Sequence, residues 1–85
     1  TIGTIIDISD IMNQPYKFIT IGKVPGDIYT YTRLVYSEET IILDHEYNEI
    51  GIEDLKVGDT VVAFHSNAMT MSIPPQTSVF IIEVK

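Results

Sequence analysis

The chain has no cysteine and no tryptophan, and it carries only five bases against twelve acids. Without cysteine, neither a disulfide nor a thiolate metal site can form, so two common staples of small domains are missing. With a net charge of −7, the chain has almost nothing to release counterions from a phosphate backbone, so no nucleic-acid partner is expected. Anionic membrane surfaces are disfavoured for the same reason. No apolar run is long enough to span a bilayer and no basic stretch precedes one, so membrane insertion is not expected either. Catalytic signatures are also missing. There is no Gly-rich phosphate loop, no His-Glu-x-x-His and no defensible Ser/His/acid spacing. The expectation is a non-enzymatic protein.

What is present is short, β-branched and apolar. The 85 residues make one small domain, expected to be monomeric and, beginning at Thr1, to be excised from a longer protein. A chain this short buries roughly 60% of its unfolded surface, which leaves a thin stability margin and little room for an enclosed substrate pocket. No helix-length stretch keeps a 3.6-residue apolar period. Strand-like runs cover residues 2–8 (IGTIIDI), 16–23 (YKFITIGK), 28–36 (IYTYTRLVY), 60–65 (TVVAFH) and 78–84 (SVFIIEV), with a shorter piece at 40–43 (TIIL). Turn signals separate them: residues 10–15, Pro25-Gly26-Asp27, Glu38-Glu39, Asn48 with Gly51, and Gly58-Asp59. Residues 52–55 have room for one helical turn at most. The pattern predicts an all-β, five-stranded antiparallel barrel with one short helical turn before the fourth strand. Its core is expected from Ile2, Ile6, Ile8, Ile19, Ile21, Leu34, Leu55, Val57, Val61, Phe80 and Ile82. Five acids between Asp44 and Asp54 read as a solvated turn that keeps the domain soluble.

Three strands, a short helical turn, DLKVGDTVVAF at 54–64, a loop and a last strand: this order resembles the OB-fold. In that fold a short helical element plugs the barrel, and Leu55 and Val57 are placed to do so here. A longer string, GDTVVAFHSNAMTMSIPPQ, resembles an uncharacterised family of OB-fold-like domains in secreted or envelope proteins of Gram-positive bacteria. Ala68, Met69, Thr70, Ser72, Pro74, Pro75 and Gln76 carry that match. It implies a fold and an extracytoplasmic location, and no activity. Met69-Thr70-Met71 is also similar to the Met-Thr-Met strand of periplasmic OB-fold copper and silver chaperones. The likeness is local: here the motif follows the DLKVGD turn instead of preceding it, and the tryptophan that those chaperones stack over the metal is absent.

Residues 65–77, HSNAMTMSIPPQT, hold the candidate site. Pro74 and Pro75 remove two backbone donors and are expected to hold the chain near polyproline geometry. In OB-folds an ordered loop between the last two strands borders the ligand. Asn67, Met69, Ser72 and Gln76 are the candidate ligand-binding residues there. On the third strand, Tyr29, Tyr31 and Arg33 share a parity and, with Phe18, form a candidate stacking platform. Such a platform needs no positive field, so the expected partner is a peptide, a glycan or a protein surface. No cofactor is implied by this reading. One alternative is a Cu(I) module: in an extended loop His65, Met69 and Met71 share one face, and thioether plus imidazole selects a soft ion; a second is a nucleic-acid-binding OB-fold, which the acidic charge opposes. The structural explanation for the same methionines is that they fill irregular gaps at the barrel mouth.

Overall fold

In the computed structural model, which describes residues 1–11 and 13–85, the chain is all β apart from two 3-10 turns. Seven strands are present among those residues: β1 (Ile2–Asp10), β2 (Lys17–Gly22), β3 (Tyr31–Tyr36), β4 (Ile41–Leu43), β5 (Glu49–Ile50), β6 (Thr60–His65) and β7 (Gln76–Val84). The first meander pairs β1 with β2 and β2 with β3, antiparallel. β6 pairs antiparallel with both β1 and β7. A parallel seam joins β3 to β7, with Arg33 opposite Gln76, Leu34 opposite Thr77 and Val35 opposite Ser78. That seam closes β1, β2, β3, β7 and β6 into a five-stranded barrel in the strand order of the OB-fold. Closure leaves neither β3 nor β7 with a free edge along the seam. The small β4–β5 hairpin is added outside the barrel, with β4 parallel to the far half of β7. No helix of the described residues is long and apolar enough to cross a membrane.

The core is one cluster: Ile5, Ile19, Ile21, Leu34, Ile42, Leu55, Val61, Ala63, Val79 and Ile82. Six of the eleven expected core residues belong to it, while Ile6 and Ile8 are half-buried. Three expectations are corrected: Ile2, Val57 and Phe80 are exposed. Two bulges account for much of this. In β1 the register slips between Ile5 and Asp7, which oppose Ile21 and Thr20. Ile6 is the unpaired residue, and the inward parity passes from Ile5 to Ile8. Ile2 therefore falls on the outer side, and Ile5 takes the core position. In β7, Val79 opposes His65 and Ile81 opposes Phe64, so Phe80 is left over and turns outward. A bulge of this kind bends a strand, and a small barrel needs such bends to close.

Val57 is exposed because of its place in a turn. Asp59 N–H donates to the Lys56 carbonyl at 3.0 Å, and Gly58 takes a φ of +101°. Glycine is suited to that conformation, and Val57 is the preceding corner residue. The turn docks on β1 through Gly58 N–H to Ile5 O and Ile5 N–H to Asp59 O, both 2.8 Å. Leu55, just before the turn, is buried as expected. The helical turn before β6 is the 3-10 turn Ile52–Asp54. The β4–β5 pairing is additional to the expected strands.

Between the β4 and β5 strands, the Asp44 carboxylate accepts from the backbone N–H groups of Glu46 at 2.8 Å and Asn48 at 2.9 Å. The Asn48 backbone bond is the main cause that lowers the Asp44 pKa, and slight burial opposes it. A carboxylate favoured by folding stabilises at pH above its unfolded pKa, and that contribution is lost as pH falls through the lowered folded value. Asp44→Asn is therefore expected to flatten the acid limb of the stability curve by lowering stability near neutrality, with little change at strongly acidic pH. Thermal melts of both proteins from neutral pH down to strongly acidic pH check this.

Candidate functional site

The parallel seam places Val35 and Ser78 side by side on the outer surface, because Leu34 and Thr77 beside them are buried. Two depressions share these two residues. One, of about 500 Å³, is walled by Pro15 and Tyr16 on one side and by Ser37, Glu38 and Glu39 on the other. The second, of about 360 Å³, is walled by Ala68, Met69, Thr70, Gln76 and Thr77. Together they make a groove along the β3–β7 seam. One end is aromatic and acidic. The other end is formed by the loop between β6 and β7.

That loop is folded, not extended. Thr70 N–H donates to the Gln76 carbonyl at 2.9 Å, and Gln76 N–H returns a bond to Thr70 Oγ1 at 2.9 Å. Ser72 Oγ lies 2.6 Å from Thr70 Oγ1 and donates to the Pro74 carbonyl at 2.9 Å. The buried Thr77 hydroxyl lies 2.9 Å from both the Ser66 and the Ala68 carbonyl oxygens. Arg33 N–H donates to the Pro75 carbonyl at 2.8 Å, so the loop's exit is fixed to β3. The Ile73–Pro74 bond is cis, which corrects the expected polyproline geometry. Order in this loop rests on the Thr70, Ser72 and Thr77 hydroxyls. These are common loop residues, and nothing in the sequence marks the Thr70 and Thr77 hydroxyls as the groups that fasten the loop.

The ligand-binding candidates separate in space. Met69 and Gln76 line the groove. Ser72 is committed to the loop's own bonds, Asn67 is exposed, and neither lines either of these two depressions. Tyr29 is not on β3, which corrects the proposed Tyr29–Tyr31–Arg33 row. Residues Ile28–Thr30 form a 3-10 turn because the Asp27 carboxylate caps Tyr29 N–H at 3.1 Å and Thr30 bonds back to Val24 and Asp27. Tyr29 is left 82% exposed. Tyr31 opposes Gly22, and its ring covers that glycine. Its hydroxyl accepts from Gly26 N–H at 2.8 Å. The expected turn at 25–27 is thereby braced by the ring placed in the stacking row. Arg33 lies over Phe18, with the guanidinium carbon 5.1 Å from the ring centroid. Lys17, which begins β2 beside Phe18, is ion-paired with Asp10. The expected turn at 10–15 includes Met12, which lies outside the described residues. Beside it, Gln14 N–H donates to the Ile11 carbonyl at 3.1 Å.

Of the Cu(I) candidates, His65 has both ring nitrogens engaged. Nε2 lies 2.7 Å from Thr1 Oγ1, and Nδ1 lies 2.9 Å from the Ser66 carbonyl. With Nδ1–H donating to that carbonyl, Nε2 is the acceptor for the threonine hydroxyl. Coordination by His65 would have to break one of these bonds. Met71 is fully exposed, while Met69 is half-covered in the groove. No group of three or more His, Asp or Glu side chains spaced for a metal is present among the described residues.

Comparison with protein-family models, with curated proteins and with solved structures finds no match to this chain.

Proposed function

We propose that this domain is a non-enzymatic binding module that holds a short extended peptide in the seam groove, with a basic side chain at the acidic end. The single observation that carries the reading is the placement of Glu38 and Glu39 beside Tyr16 in one depression that shares its floor with the Met69 depression. An ammonium or guanidinium group is attracted both to carboxylates and to an aromatic face. The Met69 end suits an apolar side chain, since a flexible thioether adapts to varied shapes. A peptide fits better than a glycan. The groove offers one aromatic ring, Tyr16, and the Tyr31 ring is engaged over Gly22. Recognition would run through side chains, because both seam strands are already paired there. An extracytoplasmic setting is part of the proposal and rests on the likeness of residues 68–76 to envelope-protein domains.

A random peptide library displayed on phage tests this. Selected sequences are expected to place Lys or Arg within a few residues of an apolar side chain. Their synthetic peptides should shift the Val35 and Met69 methyl resonances. Replacing both acids (Glu38→Gln with Glu39→Gln) should weaken binding about 2- to 30-fold at low salt, since exposed ion pairs contribute about 0.2–1 kcal/mol each. That loss should shrink in high salt. Selection of acidic peptides, or shifts that map away from the seam, would remove the proposal.

A further inference from the structure

The side of the barrel formed by β1, β6, β7 and β4 carries an apolar surface that the seam groove does not use. Phe64 on β6 opposes Ile81 on β7, which opposes Ile41 on β4. In the neighbouring row, Ile2 on β1 opposes Val62 on β6. Phe80, displaced by its bulge, stands next to Ile81. Ile2, Phe64, Phe80 and Ile41 each leave 43–56% of their surface open. At about 200 Å² per large side chain, these four expose about 400 Å², within the range of the largest patch on a monomer. We infer that this face is a self-association surface, and that its occupant is the same face of a second copy of the chain.

Charge selects that occupant. The face holds Glu83 in the Val62 row, Glu49 at its edge beside Leu43, Lys85 following Glu83 with the same parity, and Asp44 in one depression with Glu83 and Lys85. Three acids and one base give −2, against −7 for the whole chain. A basic partner would be drawn to the other surfaces, which hold the remaining negative charge. An identical face needs no charge complement. It keeps the acidic surfaces of the two copies apart, and it can bring Glu83 of one copy to Lys85 of the other at the rim. Depletion of charge around exposed phenylalanines is also the composition found at the centres of protein interfaces. Two such faces with a modest rim bury about 1,000–1,200 Å² in total, the lower limit for a specific contact. The pair is accordingly weak: a monomer when dilute and a dimer at high local concentration. The geometry is isologous, so it closes at two copies.

Sedimentation equilibrium of the unmodified chain tests this, from about 10 µM to about 1 mM, where mass action moves a weak dimer across its midpoint. The mass should rise from 9.6 kDa toward twice that. Added salt should raise the dimer fraction by screening repulsion between two acidic chains. Phe64→Lys should weaken association at least tenfold, with a thermal melt confirming that the variant is folded. Should that variant unfold, Phe80→Ser serves the same purpose, and shift mapping on the unmodified chain is independent of both. Concentration-dependent shifts should cluster at Ile2, Ile41, Phe64, Phe80 and Ile81. A mass of one chain at the highest concentration and salt would overturn the inference. So would shifts clustered at the seam groove, or a dimer indifferent to both substitutions.

Discussion

Replacing Gly22 with alanine is expected to destabilise the domain by about 1–3 kcal/mol, the cost of forcing a methyl into a filled space. Gly22 ends β2 and is buried. A Cβ built on it would sit 2.5 Å from Cδ1 and 2.6 Å from Cε1 of Tyr31. A free ring would swing aside at small cost. This ring is tethered, because its hydroxyl takes the Gly26 N–H at 2.8 Å. Retreat from the new methyl therefore breaks the brace on the Val24–Asp27 turn, where Asp27 N–H bonds the Val24 carbonyl. The new methyl would also touch Ile6 Cγ1 at 3.5 Å, an ordinary contact, so the Tyr31 ring is the group that must give way. For a domain of this length the loss corresponds to a fall in Tm of about 5–20 °C. A double-mutant cycle with Tyr31→Ala checks the mechanism. Once the ring is gone, Gly22→Ala should cost much less, giving a coupling of about 0.5–3 kcal/mol. Strictly additive costs would show that the ring is not what the methyl meets.

The second large effect is expected at Thr77. Its hydroxyl is buried and lies 2.9 Å from the Ser66 and Ala68 carbonyls. Thr77→Val keeps the shape and removes the donor. The expected loss is about 1–3 kcal/mol, the penalty for leaving such groups unpaired. The informative part is where the change is felt. Amides of Thr70 and Gln76, which tie the loop to itself, should exchange with solvent much faster in the variant. Thr40→Val is the matched control, because Thr40 is also buried and donates to the Val79 carbonyl at 2.9 Å. It should lower global stability similarly and leave the loop's own exchange unchanged. Equal effects on Thr70 and Gln76 from both substitutions would show that the loop is not held by Thr77.

How far the sequence foretold these features differs from element to element. Strand order and turns were legible because they rest on local chemistry. Pro25-Gly26 sets a turn, with Gly26 at a φ of +93°, and Gly58 sets another. Ile19, Ile21 and Leu34 point inward because β2 and β3 pair without a slip. Parity failed where the barrel bends. Nothing in IGTIIDI marks Ile6 as the unpaired residue, since Ile5 and Ile6 are the same amino acid. In the last strand, Phe80 was a better core candidate by size than Val79, and the bulge reversed them. The requirement behind both is closure, a property of the whole sheet. Tyr29 was misplaced for a local reason: Asp27 can cap a 3-10 turn, and strand propensity in IYTYT gave way to it. In the 65–77 stretch, which the sequence marked as a candidate binding loop, Met69 and Gln76 line the groove. The opposite wall was not legible. Tyr16, Glu38 and Glu39 lie at two separate turns, and only the seam brings them to the same floor.

The central claim is that β3 and β7 are joined as parallel neighbours, which closes the barrel and lays the floor of the groove. Amide hydrogen exchange at Arg33 tests it most directly. Its N–H is the donor to Pro75 O and has no other reason to be shielded. The account predicts that Arg33 exchanges as slowly as Ile19 in the middle of β2. Exchange at the rate of an unprotected amide would mean that the seam is open, and the groove would lose its floor.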